Sequence, residues 1–311
     1  MTFYFLGWKA RYEKLMIDNL ANDHDVRMLS VPGYAKKVLS LCKSIRKRAS
    51  LVVPLEWLAR RVNAGNGAMR SDVLVCNETQ AIRGLNPQLV ATFPGVRILL
   101  VRDLVDAAFV ERMRPHFNCI YSYDPVQCQQ LGMEFLDQFF PFNVESARQS
   151  SRSERRCKPL CFFLGRDKGR AARLDRLAQT LRAEGCEVDF NIVKDDTSQL
   201  LTHFHTDSVV TYEDNLSKAQ NSDVLVELNQ PGQTGLTLRP LEAAFFDKKL
   251  ITDNKWVKEM EFYHPDRFYV LGDEQRDLGQ FLRAQAPQVD PRTLRKHSPE
   301  GLMDRLLAAS A

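Results

Sequence analysis

An alternation that the chain runs through twice constrains its fold more than any other feature. In the first half the apolar runs are FYFLG (3–7), SDVLVCNE (71–78), VRILLVRD (96–103) and NCIYSYD (118–124). In the second they are LCFFLG (160–165), VDFNIV (188–193), DVLVEL (223–228) and KKLITDN (248–254). Helix-like segments stand between them. Strands that are apolar on both faces belong to parallel sheets with helices on both sides, so the pattern predicts an α/β protein of two Rossmann-like doubly wound domains facing a central cleft.

The alternation is interrupted by SARQSSRSERRCKP (146–159), polar and basic with almost no apolar residue, as linkers are. The expected organisation is an N-terminal Rossmann-like domain over 1–146, a C-terminal Rossmann-like domain over 157–275, and a helical tail over 276–311 packing back across the junction. A length of 311 residues suits two cores.

Charge and cysteine usage narrow the partners. The net charge is +4, too small for a polyanion binder, and the basic stretches lack the aromatic and glycine interleaving of an RNA-recognition motif, so no nucleic acid is expected. The seven cysteines form no CxxC pair and several lie in strand-like runs, which predicts reduced core thiols and a cytoplasmic protein. No stretch approaches the ~20 apolar residues of a membrane span. Residues 34–62 suggest peripheral contact with an anionic inner membrane face: Val38, Leu39, Leu41, Cys42 and Ile45 recur at helical spacing among lysines and arginines, followed by Trp57 with Arg60 and Arg61. A solvated helix packed by one apolar face would show the same pattern.

Doubly wound sheets bind ligands at the carboxyl ends of their strands. In the first half the turn Gly7-Trp8-Lys9 is placed to line such a site, and later strand ends carry Asn77 and Glu78, Arg102 and Asp103, Tyr123 and Asp124. A carboxylate there can serve as general base for an acceptor hydroxyl, which makes Asp103 the first catalytic candidate and Glu78 the second, with helix capping as the plainer reading of both.

The second half offers two loops for an anion. Gly165, Arg166, Lys168 and Arg170, in GRDKGR, put cations where a helix N-terminus already favours negative charge, although neither GxxxxGK[ST] nor GxGxxG is present. After DVLVEL, the loop NQPGQTG leads into TLRPLE. Gly232 and Gly235 let the backbone come close, Gln233 and Thr234 can hydrogen-bond phosphate or sugar, Thr237 is placed to cap the helix, Arg239 can neutralise phosphate, and Glu242 can take both hydroxyls of a ribose.

The segment from Phe162 to Leu271, with FFLGRDKGR, VELNQPGQTGLTLRPLEAAFFDKKLITDN and FYHPDRFYVLG, resembles bacterial lipopolysaccharide and capsule polysaccharide biosynthesis proteins of the GT-B glycosyltransferase type. In the first half the resemblance rests on topology alone. It implies a nucleotide-sugar donor in the second domain, with Gly165, Arg166, Lys168 and Arg170 and then Gln233, Thr234, Gly235, Thr237 and Arg239 around the phosphates, and Glu242 on the ribose. It also implies a cell-envelope saccharide or lipid-linked acceptor, no cofactor, and no metal. The chain departs from the common retaining pattern of two glutamates separated by seven residues, because Thr234 stands eight positions before Glu242, and the stereochemical outcome stays open. A nucleotide-sugar epimerase and a non-catalytic nucleotide-sugar-binding partner are the alternatives.

Overall fold

The expected alternation becomes two parallel six-stranded sheets in a computed structural model, which describes residues 1–49, 53–150, 156–208, 210–230, 235–273 and 276–310. The chain divides into two compact units, Met1–Asp137 with Met303–Ala311, and Gln138–Leu302.

In the first unit the strands are β1 (Phe3–Leu6), β2 (Val26–Met28), β3 (Val73–Asn77), β4 (Val96–Val101), β5 (Cys119–Ser122) and β6 (Glu134–Phe135). Their order is β2-β1-β3-β4-β5-β6, every pair parallel, with Phe3 opposite both Val26 and Val73. Between them run α1 (Arg11–Leu20), α2 (Gly33–Ala49), α3 (Glu56–Gly65), α4 (Glu78–Ala81), α5 (Asn86–Ala91), α6 (Ala107–Met113) and α7 (Pro125–Leu131). FYFL and VLVCN are buried along their whole length. The period of two divides them between faces: Tyr4, Leu6, Leu74 and Cys76 enter one core with Leu58 and Val62 of α3, while Phe3, Phe5, Val73 and Val75 are buried on the other face.

The second unit holds α8 (Val144–Ser150), β7 (Leu160–Arg166), α9 (Ala171–Ala183), β8 (Glu187–Val193), β9 (His205–Thr206), α10 (Tyr212–Asn221), β10 (Val224–Glu227), α11 (Leu238–Phe245), β11 (Lys249–Thr252), β12 (Phe268–Val270), α12 (Leu278–Arg283) and α13 (Pro291–Arg295), and α14 (Pro299–Ser310) begins in it. The order is β12-β11-β10-β7-β8-β9. Two cores clothe the sheet: Phe162 and Leu225 enter one, and Cys161, Phe163, Val224 and Val226 the other.

KKLITDN is not the last strand, since β12 pairs beyond it through Leu250 opposite Phe268. The two-residue edge strands β6 and β9 carry too short an apolar run to signal themselves. The polar stretch begins within α8, which buries Ala147 in a core while Arg148 donates to the Val289 carbonyl at 2.6 Å; its residues 151–155 lie outside the described residues. Of the cysteines, none disulfide-bonded, Cys76, Cys128, Cys161 and Cys186 are buried and Cys157 is exposed. Among the described residues no helix is long and apolar enough to cross a membrane.

Candidate functional site

In the second unit the chain leaves β7 toward β8 and β9, then crosses back so that β10 lies on the opposite side of β7. The connections after β7 and β10 therefore run in opposite directions from neighbouring strands, which opens a crevice at their carboxyl ends. GRDKGR and the loop after DVLVEL are those two connections.

The β7 loop is fixed from within. The Asp167 carboxylate accepts the N–H groups of Arg170 and Ala171, each at 3.0 Å, and so sits on the N-terminus of α9 as an internal anion. Its other oxygen meets His205 Nε2 at 3.0 Å, both side chains being buried. The Thr202 N–H points at His205 Nδ1 from 2.9 Å, so Nδ1 accepts and Nε2 carries the proton given to Asp167. Burial pushes the Asp167 carboxyl up, but the hydrogen bonds from His205, Ser198 and Ala171 outweigh it and hold it below the usual carboxylate range. Sequence reasoning missed this pair. Asp167 had a signal as an acid opening a helix; His205, far along the chain, had none.

Arg170 ties the two strand ends together. Its guanidinium donates to the carbonyls of Asp167, at 3.1 Å, and of Arg166 and Leu228, and lies over the Phe163 ring. Gly165 makes this possible, because a Cβ there would stand 3.2 Å from Arg170 Nη2. Arg170 and the α9 amides are thus committed internally, and the expected clamp reduces to the exposed side chains of Arg166 and Lys168. Lys168 holds a left-handed backbone at φ 45°, steadied by its N–H to Asp195 at 3.0 Å, and its ammonium reaches Gln230 Oε1 at 2.6 Å across the crevice. Backbone strain of this kind gathers at functional loops.

On the β10 side Thr237 caps α11, accepting the Arg239 N–H at 3.0 Å and donating to Glu227. Thr252 donates to the other Glu227 oxygen at 2.5 Å, and burial nonetheless raises that carboxyl above its ordinary value. Gly235 is buried, its carbonyl accepting from Asn254 at 3.2 Å. Gln233 and Thr234 lie outside the described residues.

Arg239 and Glu242, expected on phosphate and ribose, are paired with each other in this structure. Glu242 is only 3% exposed and meets Arg239 Nη1 at 2.5 Å, while Arg239 Nη2 turns to Asn215 at 3.3 Å and lies over Phe162. Three residues apart on α11, they share one face, and that face is buried. Burial raises the Glu242 carboxyl, with Arg239 opposing it.

In the first unit the carboxyl edge carries a second polar cluster. Glu13 accepts the N–H groups of Lys9 and Ala10 at 2.7 and 2.8 Å with one oxygen and Asn77 Nδ2 at 3.2 Å with the other. Glu78 accepts the Arg102 N–H at 2.9 Å, so it is a buried structural acceptor. Asp103 is exposed, beside Tyr123, whose phenol is raised by burial with Asp103 adding to the effect. Trp8, expected to line this edge, is instead fully buried against Phe5, their ring centroids 4.7 Å apart. Asp124 caps α7. Among the described residues no group of three His, Cys, Asp or Glu side chains is arranged to hold a metal ion.

No family model and no curated protein matches the sequence. Solved structures do match in fold. A UDP-forming trehalose-phosphate synthase from Burkholderia xenovorans, in complex with glucose-6-phosphate, superposes with TM-score 0.57 at 9% identity, over 99% of each chain. The N-terminal domain of Candida albicans trehalose-6-phosphate phosphatase gives 0.55 at 11%, covering 100% of this chain and 97% of its own. The catalytic domain of Arabidopsis thaliana starch synthase IV, bound to ADP and acarbose, gives 0.50 at 9%, over 82% and 75%. With its two parallel six-stranded sheets, the chain has the two-Rossmann architecture of the GT-B type.

Proposed function

We propose that a chain built on this two-sheet fold is a glycosyltransferase, moving a sugar from a nucleotide-sugar donor to a cell-envelope saccharide or lipid-linked acceptor without a metal ion. The observation that carries the reading is the crevice between β7 and β10, where Lys168 is strained toward Gln230 and Arg166 stands exposed beside it. Glycosyl transfer leaves negative charge on the departing diphosphate, and fixed cations at that point lower the barrier. Arg166 and Lys168 supply them, joined by the loop of Gln233, Thr234 and Gly235. Thr237, Arg239 and Glu242 act from beneath, holding the first turn of α11. Asp103 is the stronger candidate for acceptor base, being exposed at the first unit's edge where Glu78 is buried and engaged.

The lipid-linked acceptor gains support from α2 and α3. Leu41 and Trp57 are 62% and 54% exposed, among Lys36, Lys37, Lys43, Arg60 and Arg61. Apolar side chains ringed by cations suit an anionic membrane face. Calorimetric titration with UDP, GDP, ADP, CMP and their sugars tests the donor site. Saturable binding that weakens about tenfold or more in Arg166→Ala/Lys168→Ala, a loss of ~1.4 kcal/mol, supports it. Unchanged affinity in that variant would remove the assignment. Conversion of donor alone to an isomer would mean an epimerase, and binding with no turnover of any acceptor a non-catalytic partner.

A further inference from the structure

The second sheet has another polar site at its opposite, amino-terminal edge. A cavity of about 370 Å³ opens there between the starts of β10 and β11, the residues before β7, and the segment after α12. Strands of this length hold the two edges apart by up to ~20 Å, so the cavity is separate from the crevice described above. Its charged lining is Arg156, Lys248, Lys249 and Arg267 against Asp223 and Asp247, an excess of two positive charges.

Internal pairing absorbs part of that charge. Arg267, 1% exposed, meets Asp247 at 2.5 Å and donates to the carbonyls of Lys248 and Pro287, yet its Nε has no partner among the described residues. Lys249 closes on the carbonyls of Phe281, Leu282 and Ala284 at the end of α12. The Asp223 carboxylate takes the Leu160 N–H at 2.8 Å. Lys248 is different: it is 5% exposed, and among the described residues no acceptor hydrogen-bonds its ammonium. Burial draws that ammonium below the usual lysine range, with Asp223 and Asp247 opposing. The ammonium itself is not fully enclosed and faces the cavity, where an anion would supply the acceptor that the protein does not.

We propose that this cavity is a second anion site, which takes a small phosphomonoester through Lys248 and the exposed guanidinium of Arg156, with Arg267 fixing the wall behind them. The excess charge matches a phosphomonoester dianion. The volume is larger than one phosphate needs, at ~30 Å³ for each water-sized occupant, and leaves room for a short polyol or sugar body.

Glycerol 3-phosphate, inorganic phosphate and succinate, each titrated calorimetrically at constant ionic strength, test this directly. Glycerol 3-phosphate should bind saturably with a Kd of about 1 mM or tighter, and more tightly than the other two. Lys248→Met, which keeps the volume and removes the buried charge, should weaken binding about tenfold or more without lowering Tm; Arg156→Ala, at an exposed position, should weaken it severalfold; Lys168→Ala should leave it unchanged. No saturation, equal affinity for glycerol 3-phosphate and phosphate, unchanged binding in Lys248→Met, or loss confined to Lys168→Ala would each overturn the assignment.

Discussion

Replacing Arg239 with Met should destabilise the second unit by an amount that depends on pH. The substitution leaves Glu242, 3% exposed, without the guanidinium that meets it at 2.5 Å. At an effective dielectric of about 20, charges ~4 Å apart attract by about 4 kcal/mol. The cost at neutral pH is smaller, because the carboxyl can take up a proton instead. Its ordinary pKa is 4.5, and each pH unit above that costs about 1.4 kcal/mol, so protonation caps the loss at about 3.4 kcal/mol near pH 7. The sign follows from linkage. A carboxyl raised by burial contributes stability below its unfolded pKa and loses it as pH rises through the folded value, and removing Arg239 raises the folded value further. The deficit of Arg239→Met should therefore be about 2–3 kcal/mol near pH 7, below that cap because burial already raises the wild-type carboxyl, roughly 4–12 °C in Tm for a unit of this size, and shrink to under about 1 kcal/mol near pH 5. Adding Glu242→Gln should recover most of it. Thermal or urea unfolding across that range measures it, and a deficit under about 1 kcal/mol at neutral pH, or one that does not change with pH, would refute the reasoning.

Other substitutions probe the remaining parts. Thr237→Val removes the cap of α11 and one hydroxyl on Glu227, and should lower unfolding free energy by about 1–3 kcal/mol with weaker donor binding; a wild-type urea midpoint would contradict it. Gly7→Ala meets a left-handed φ of 77° and would bring a Cβ to 2.5 Å from Gln80, so Tm should fall by an amount corresponding to about 1–3 kcal/mol. Asp103→Asn should reduce kcat about a hundredfold or more while Glu78→Gln has a far smaller effect; equal turnover in Asp103→Asn and wild type would exclude Asp103 as the base.

The sheets were legible because their signal is local: FYFL, VLVCN and VLVE are apolar on both faces, and only a parallel, doubly covered sheet buries such runs. That both loops lie at strand carboxyl ends followed from the same logic, whereas the reversal beside β7 rests on a strand order that local patterns do not carry. What each side chain does within it was less legible, because roles there depend on partners distant in sequence. That Arg239 and Glu242 meet each other depends on the turn of the helix and could not be read from their residue types alone. Asp167 finds His205 thirty-eight residues away, and Arg170 reaches across to Leu228. Glu13 was readable in principle, as a glutamate three residues after the N-cap of a helix that folds back on its amides.

Hydrogen–deuterium exchange with and without each nucleoside diphosphate tests the central claim most directly. One base should protect peptides spanning Gly165–Arg173 and Asn229–Arg239 together, the two connections that flank β7 and β10. Protection elsewhere, at Asp247–Lys249 or in the first unit, or no protection with any of them, would contradict it.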